Sequence, residues 1–277
     1  FKCHNCGIGQ NLANFLKFID PKVHDRYILE RYKNSAPATK EPEFKFDFKP
    51  KLENDYINEL TSIADLKDDH PAKKYIKSRC IPEKHFDKLY LCNKLYEWAH
   101  KIAPRKYNKS KYDHPRLVIP FYDEQGKVFA YQGRAFGKET PKYVTIKLDE
   151  NKQKIYGLER INFAQHLFVV EGPIDSLFLD NCLAAGGADL TLDSKINPEK
   201  VTYIFDNEPR NKEIIQRMEK IIDLGYNIFI WPEDIQLKDV NDLIMTGVSK
   251  LQLDEIISIN TYSKLSAKQA LVNFKKI

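Results

Sequence analysis

The sequence of 277 residues has few cysteines, no long apolar run and no leader pattern, and each shortage excludes a class of protein. No apolar run approaches the roughly 20 residues that a membrane-spanning helix needs, so we expect a soluble protein without membrane contact. Of the five cysteines only Cys3 and Cys6 are close together, which argues against a disulfide framework and indicates a reducing cytosol. A basic stretch followed by an apolar run and a cleavage site is missing, so we expect no signal peptide.

The small net charge of +5 conceals two oppositely charged parts. Residues 1–166 contain 32 basic and 22 acidic residues, whereas residues 167–277 contain 12 basic and 17 acidic residues. A basic part followed by an acidic part is typical of a polyanion-binding surface joined to a site that holds cations. The alternative is two charged surfaces without a common purpose, and charge alone does not decide between them. The hydrophobic content of 42% excludes an intrinsically disordered chain.

Composition and periodicity divide the chain into five segments. In the first segment, helix candidates follow the cysteine pair, and the second segment is interrupted by prolines. In the third segment, the apolar residues have helical spacing up to Pro115 and antiparallel strand patterns after it. In the fourth, buried-strand patterns alternate with helix candidates, one of them from Pro173 to Asn181, which predicts right-handed crossovers and a parallel sheet. The fifth is a short tail. The segments are 1–33, 34–55, 56–160, 161–260 and 261–277.

Acidic residues follow three of the predicted parallel strands. They are Glu171 after the strand 167–170, Asp206 and Glu208 after the strand 201–205, and Asp239 shortly after the strand 227–231. Because the C-terminal ends of parallel strands meet at one edge of a sheet, we expect these carboxylates to lie close together. They would repel one another unless a divalent cation such as Mg²⁺ lay between them. Each acid alone is better explained as a helix cap, but the set of three favours a metal site.

Three motifs around these acids resemble the signatures of the TOPRIM domain. They are Glu171-Gly172-Pro173-Ile174-Asp175, Asp206-Asn207-Glu208 and Lys238-Asp239-Val240-Asn241-Asp242. The resemblance implies an α/β fold with a TOPRIM-type parallel sheet and flanking helices. It also implies that Glu171, Asp206 and Glu208 bind Mg²⁺ or Mn²⁺, with Asp175 and Asp239 as supporting catalytic residues. Glu208 replaces the Asp of that pattern and Asn241 replaces a third Asp of many relatives, so the number of metal ions stays open.

Motifs before this region resemble the basic catalytic subdomain of DnaG-type primases, in the order found in that family. They are Arg116–Phe121, Gly126-Lys127-Val128, Gln132-Gly133-Arg134, Pro141-Lys142-Tyr143 and Ile155–Leu158. Two others, Asp69-His70-Pro71 and Arg79-Cys80-Ile81-Pro82, resemble more closely the primases of T-even-like phages. The order of the motifs is specific, whereas any one of them would be weak. The resemblance implies an RNA polymerase domain made of a mixed α+β basic subdomain over 56–160 and the TOPRIM subdomain over 161–260.

The same resemblance implies that Arg134 and Lys142 bind the nucleotide or the template, with Arg116 as a weaker candidate. An arginine fork can hold a triphosphate through two hydrogen bonds, and a lysine acts as a point charge on phosphate. The alternative for each is a solvated cation at a strand end. A basic run with two tyrosines, residues 105–112, either follows the template backbone or forms a solvated loop.

Cys3 and Cys6 have the spacing of a zinc knuckle, which supplies two of the four ligands of a structural zinc site. The remaining cysteines are isolated and supply no second knuckle. The resemblance implies that residues 1–33 are the C-terminal part of a zinc ribbon, and that the other two ligands of Zn²⁺ lie upstream of Phe1. The alternative is two free thiols in a loop.

The motifs together predict a DNA primase that makes short RNA primers on single-stranded DNA for phage lagging-strand replication. The partners implied are the single-stranded template, ribonucleoside triphosphates and a replicative helicase, in the cytoplasm of the host cell. The tail 261–277 is a candidate helicase contact, although it is also explained as a plain terminal helix. Two alternatives are a TOPRIM nuclease and a non-catalytic single-strand-binding or helicase-loading factor.

Overall fold

The computed structural model describes residues 12–33, 54–110, 112–186, 192 and 196–276. Cys3 and Cys6, the proposed zinc ligands, lie outside the described residues, as does nearly all of the predicted linker 34–55. The chain divides into two units, 1–49 and 50–277. Over the described ranges, every helix is too short or too polar to span a lipid bilayer.

In its described residues, 12–33, the first unit contains two helices, α1 over Leu12–Ile19 and α2 over Pro21–Lys33. They are separated by Asp20, whose side chain accepts a hydrogen bond from the backbone N–H of Lys22 at 2.8 Å. Pro21 occupies the first position of α2, where its missing N–H and its fixed φ angle cost nothing. The two helices lie where the sequence predicts helix candidates after the cysteine pair.

The second unit begins with an antiparallel sheet of five strands in sequence order. Its elements are β1 Thr61–Ser62, α3 Pro71–Ser78, β2 Tyr90–Cys92, α4 Leu95–Ile102, β3 Arg116–Tyr122, β4 Val128–Ala135 and β5 Tyr143–Lys147. Asp123 makes the turn between β3 and β4, because its Oδ1 accepts hydrogen bonds from the N–H groups of Gln125 and Lys127. Helix α4 packs on the sheet through Trp98, whose ring meets that of Tyr131 edge-on at 4.8 Å.

A mostly parallel sheet of five strands follows, in the order β10-β9-β8-β6-β7. Its strands are β6 Leu167–Val170, β7 Cys182–Ala184, β8 Val201–Ile204, β9 Asn227–Phe229 and β10 Thr261–Tyr262, of which only β10 is antiparallel to its neighbour. Its helices are α5 Lys212–Asp223, α6 Val240–Met245, α7 Lys250–Ile259 and α8 Lys264–Phe274. The predicted α/β class and the predicted parallel pairing are therefore confirmed.

The helix predicted from Pro173 to Asn181 is wrong in its extent. The structure has only a 3₁₀ turn over Asp175–Phe178, and Leu179 is already extended. The reason is length: strands β6 and β7 are parallel neighbours joined by residues 171–181 alone, close to the minimum for a crossover. A full helix would leave too little chain to return to the start of β7.

The segment 261–277, predicted as a separate tail, is continuous with the parallel sheet. Strand β10 pairs with β9, and helix α8 buries Ala267, Leu271 and Phe274 in the core beneath that sheet. On the same helix Leu265 and Val272 are exposed. The apolar spacing of this segment therefore reflects, for the most part, packing within the chain.

We predict that Phe274→Ala lowers the free energy of unfolding by about 3 kcal/mol, because a buried aromatic ring is lost and a cavity remains. Val272→Ala, two residues away and 63% exposed, is the matched control and should change it by less than about 0.5 kcal/mol. Urea denaturation followed by circular dichroism measures both. Equal effects of the two changes would show that α8 does not belong to this core.

Candidate active site

The ends of three parallel strands bring the predicted acids to one edge of the sheet. In the register of the sheet, Val170 at the end of β6 lies beside Ile204 at the end of β8, and Ile204 lies beside Phe229 at the end of β9. Glu171 directly follows the first of these strands, and Asp206 follows the second after one residue. The acids that the sequence predicts to converge are therefore neighbours, although their side chains have different partners.

Glu171 is held at both carboxylate oxygens. Its Oε2 accepts a hydrogen bond from the backbone N–H of Asp206 at 3.0 Å, and its Oε1 accepts one from Nη1 of Arg217 at 2.6 Å. The Arg217 guanidinium also lies over the ring of Phe205. Sequence reasoning missed Arg217, although it stands between Ile214 and Ile221 on the apolar face of α5. A cation within an apolar helical stripe is the signal that points to a buried acidic partner.

Asp206 and Glu208 share one cation, the ammonium group of Lys238. Its Nζ lies 3.5 Å from Oδ2 of Asp206 and 2.5 Å from Oε1 of Glu208, whose Oε2 accepts a hydrogen bond from Asn211. The hydrogen bond from Lys238 lowers the pKa of Glu208. Burial, together with the neighbouring charge of Glu171, raises the pKa of Asp206 to about 7. The nearby charge of Lys238 therefore offsets only part of the rise in the pKa of Asp206.

Asn207, between these two acids, is a site residue that sequence reasoning did not single out. Its side-chain Nδ2 donates to the carbonyls of Ile235 and Leu237 at 2.8 and 2.9 Å, and its backbone N–H donates to the carbonyl of Lys238 at 2.7 Å. These bonds fasten the loop after β9 to the end of β8. Asn207 therefore places Lys238 beside the carboxylates.

Asp175 is only 9% exposed and lies in the 3₁₀ turn after β6. Its Oδ1 accepts a hydrogen bond from the backbone N–H of Asn241 at 2.9 Å. Its Oδ2 lies so close to Gly172 that a β-carbon there would be 2.4 Å away, which explains the glycine of this motif. Burial, followed by the charge of Asp239, raises the pKa of Asp175.

Asp239 and Asn241 have partners that the motif alone does not reveal. Asp239 is the N-cap of α6, where its Oδ1 accepts a hydrogen bond from the N–H of Asp242 at 2.7 Å. The capping role that is the simplest explanation for a single acid is thus present at Asp239. The Asn241 Oδ1 accepts a hydrogen bond from Arg79 at 2.8 Å, so this oxygen is directed to an arginine.

The basic candidates differ in exposure. Arg134, on β4, is 5% exposed, and it donates from Nε to the hydroxyl of Tyr75 at 3.0 Å and from Nη1 to the hydroxyl of Tyr143. Its charge also acts on Asp175, where it opposes the rise in pKa. Lys142, just before β5, is exposed to solvent. The structure thus places Arg134 near the acidic edge and leaves Lys142 free to reach an anion.

Arg116 is placed differently from the expectation of a nucleotide contact. It is 1% exposed, and its Nη1 donates to the carbonyls of Pro141 and Lys142 at 2.8 and 3.3 Å. Arg116 is the first residue of β3 and pairs with Ala135 on β4. The segment that leads into β5 covers the Arg116 side chain. The arrangement supports the backbone of Lys142 rather than presenting the charge of Arg116 to solvent.

The donor set at the edge suits a hard divalent cation. Within the described ranges, no three His, Cys, Asp or Glu side chains are close enough to hold a metal ion unaided. Mg²⁺ commonly uses one or two carboxylates and completes its shell with water and phosphate oxygens. Asp206 and Glu208 offer two carboxylates bridged by one ammonium group, which leaves a net negative charge when both carboxylates are ionised. The residues present therefore fit such an ion.

We predict a pH-dependent stability difference between the wild type and Asp206→Asn in the absence of divalent metal. The folded pKa of about 7 lies above the ordinary value of 3.8, so ionised Asp206 destabilises the fold above about pH 7 and this penalty disappears as the pH falls toward 4. Asp206→Asn should be more stable than the wild type by about 4 kcal/mol at pH 8 and about equal near pH 4. Urea unfolding in EDTA measures the difference, with the exposed Asp234→Asn as control. A difference that does not vary with pH would contradict the assigned cause.

Comparison with known proteins places this site in a family. No family model matches the chain. The DNA primase of Enterobacteria phage T4 is 36% identical over 284 aligned residues, which cover 99% of this chain and 81% of that primase. The crystal structure of the Aquifex aeolicus primase, comprising zinc-binding and RNA polymerase domains, matches with a TM-score of 0.56 at 19% identity. The match covers 95% of this chain and 73% of the Aquifex chain.

A structure of the DnaG primase catalytic domain bound to single-stranded DNA has a TM-score of 0.58 at 15% identity and covers 80% of each chain. At these identities the two structures show a shared fold, and the fold is the one that the motifs predict. The sequence identity with the phage protein shows the family directly. The chain belongs to the DNA primase family.

Proposed function

We propose that this chain is a template-dependent RNA polymerase that makes short RNA primers on single-stranded DNA for phage lagging-strand replication. The observation that carries the proposal is the placement of Arg134, from the antiparallel sheet, within electrostatic reach of Asp175, which lies in the turn after β6. A site that joins nucleotides needs a cationic group for the triphosphate and acidic oxygens for a divalent metal. Both are present in the unit 50–277.

Primer synthesis forms a bond between the 3′-hydroxyl oxygen of one ribonucleotide and the α-phosphorus of the next, and pyrophosphate leaves. Mg²⁺ or Mn²⁺, when bound, would offset the negative charge on the phosphate oxygens. In this proposal Asp206 and Glu208 hold the metal, and Lys238 offsets part of their charge in its absence. Arg134 and Lys142 hold the triphosphate, and Asp175 and Asp239 shape the acidic edge.

Glu171 has a different part in the proposal from the other two predicted ligands. Both of its oxygens are already bonded, to the N–H of Asp206 and to Arg217. We assign it to orienting the end of β8, with metal contact only if Arg217 releases Oε1. Arg116 supports the segment of Lys142 through backbone carbonyls.

The single-stranded template should be held mainly by charge. In the basic run 105–112, Tyr107 donates its hydroxyl to the carbonyl of Thr145 at 3.0 Å, whereas Tyr112 is 81% exposed. An exposed aromatic ring among lysines can stack on a base while the cations contact the backbone. We therefore propose Tyr112 rather than Tyr107 as the residue that contacts the template.

The zinc site and the helicase contact also belong to the proposal. The Aquifex aeolicus primase structure includes a zinc-binding domain, and Cys3 and Cys6 have the spacing that two Zn²⁺ ligands require. A replicative helicase would contact the exposed side chains of α8, chiefly Leu265 and Val272. The buried face of α8 is occupied by the chain itself.

The central test is RNA synthesis. The protein, incubated with single-stranded DNA, ribonucleotides and Mg²⁺, should yield short RNA on a denaturing gel, and Asp206→Asn should lower the rate at least ~100-fold because a charge-stabilising group is lost. Template binding, measured by fluorescence anisotropy, should change little. Asp234→Asn is the matched control and should keep full synthesis. Degradation of the template without synthesis would favour the nuclease, and template binding without either would favour the non-catalytic factor.

A second test concerns the triphosphate. Lys142→Ala should raise the KM for ribonucleotides about tenfold, because one charge-assisted contact to phosphate is lost, while kcat changes less. Lys138→Ala removes an exposed lysine four residues earlier and should leave the KM unchanged. Raising the salt concentration should reduce the difference in KM between the wild type and Lys142→Ala, because salt screens the charge of Lys142. An equal rise in KM for both variants would mean that Lys142 acts only through general surface charge.

A further inference from the structure

Helix α3 contacts both sides of the proposed active site. Near its C-terminal end, the hydroxyl of Tyr75 accepts a hydrogen bond from Nε of Arg134 at 3.0 Å. The next residue on the same face, Arg79, caps the helix and donates from Nη1 to Oδ1 of Asn241 at 2.8 Å. Residues four apart lie one turn above each other on a helix. One helical turn therefore touches the cationic side through Tyr75 and the acidic side through Arg79.

The contact between Arg79 and Asn241 is reciprocal and leads directly to an acidic residue of the site. The Asn241 Nδ2 donates to the backbone carbonyl of Arg79 at 2.7 Å, so the amide is bonded at both ends to one residue. The backbone N–H of Asn241 donates to Oδ1 of Asp175 at 2.9 Å. Asn241 is 2% exposed, so these bonds are shielded from competition by water. A shift of Arg79 would move Asn241 and hence the donor that holds Asp175.

The helix is itself fixed in place. At its start, Nδ1 of His70 accepts a hydrogen bond from the N–H of Ala72, and Pro71 takes the first helical position. Its buried residues Ala72 and Ile76 join the main core. Lys73 donates to the carbonyls of the loop before the helix at 3.2 and 2.8 Å. These contacts give His70 and Pro71 of the Asp69-His70-Pro71 motif a role at the start of α3, apart from the proposed metal and triphosphate ligands.

Tyr75 and Arg79 are also coupled to each other. The guanidinium of Arg79 lies over the Tyr75 ring, 5.7 Å from its centroid, and the ring meets Phe136 edge-on at 5.2 Å. Arg79 approaches Asp242 at 3.7 Å as well, which adds a charge contact to α6. The two residues therefore form one contact cluster with elements of both the antiparallel and the parallel sheet regions.

We propose that Tyr75 and Arg79 are positioning residues that hold Arg134 and the Asp175 region at the separation needed for nucleotide transfer. The inference rests on the proposed function and adds residues that do not touch the substrate. Misplacing a catalytic group by about 1 Å can cost about 100-fold in rate. The two residues should differ in effect, because Tyr75 acts on the triphosphate side and Arg79 acts on the carboxylate side.

Steady-state kinetics of primer synthesis tests this division. Arg79→Ala and Asn241→Ala should each lower kcat by about 10- to 100-fold with the KM for ribonucleotides within about twofold. The double variant should be no slower than the slower single variant, because both changes break the same link. Arg79→Lys keeps one donor and should recover part of the kcat. Tyr75→Phe keeps the ring and should raise the KM several-fold with little change in kcat.

Lys74→Ala is the matched control, since it removes an exposed cation from the same helix and should leave both constants unchanged. Near-wild-type kcat in Arg79→Ala, multiplicative losses in the double variant, or an equal loss in Lys74→Ala would overturn the proposal. An unchanged KM in Tyr75→Phe would overturn the part of the proposal that concerns Tyr75 and Arg134. Circular dichroism of each variant identifies any change that acts through unfolding. If Arg79→Ala unfolds, Arg79→Lys decides for the carboxylate side, and Tyr75→Phe, which keeps the ring, decides for the triphosphate side.

The wild type separates this inference from the proposed function. If the wild-type protein makes no RNA under any metal condition, the proposed function fails. Binding of ATP and of Mn²⁺ to the same variants, measured by calorimetry and by electron paramagnetic resonance, then judges the inference alone. Tyr75→Phe should weaken ATP binding several-fold, and Arg79→Ala should weaken Mn²⁺ binding. Unchanged affinities in both would overturn it.

Discussion

The constraint on which this molecule depends is the repulsion between carboxylates gathered at one edge of a parallel sheet. Glu171, Asp206 and Asp175 are drawn there because β6 and β8 are neighbours and their chain continues into short loops. The fold answers with fixed positive charge and donors: Arg217 on Glu171, Lys238 on Asp206, and backbone N–H groups on two of the three. The compensation is incomplete, because burial and the charge of Glu171 still raise the pKa of Asp206 despite Lys238. An edge that keeps a net negative charge is suited to a divalent cation.

The basic and acidic parts of the sequence form different sheets of the structure. Within the unit 50–277, the antiparallel sheet supplies Arg134 and Lys142, and the parallel sheet supplies the acids. A single sheet could not present both signs so close together without internal ion pairs that would neutralise them. Separate sheets keep Arg134 on tyrosine hydroxyls rather than on a carboxylate. The cation is thereby held in place without being neutralised by a carboxylate.

Neutral amide side chains do much of the positioning that the charged residues require. Asn207 fastens the loop of Lys238, and Asn241 connects Arg79 with the Asp175 region. An amide both donates and accepts, so it can join two backbone segments without adding charge to an already acidic edge. The departure from a third Asp at position 241 fits this role, because the oxygen and the nitrogen of the side chain are both bonded to Arg79.

The sequence by itself determined the α/β class, the β3–β4 turn and the set of acids at the strand ends, because strand periodicity and turn chemistry are local properties. Only the tertiary structure decided what each charged side chain touches. Arg116 is covered by a segment 25 residues away, Arg217 meets an acid 46 residues earlier, and Arg79 meets Asn241 across 162 residues. The apolar spacing of 261–277 predicts a helix but not the core that buries it. Such partners depend on how strands and helices pack. A local pattern of residues does not specify contacts between residues that are far apart in the sequence.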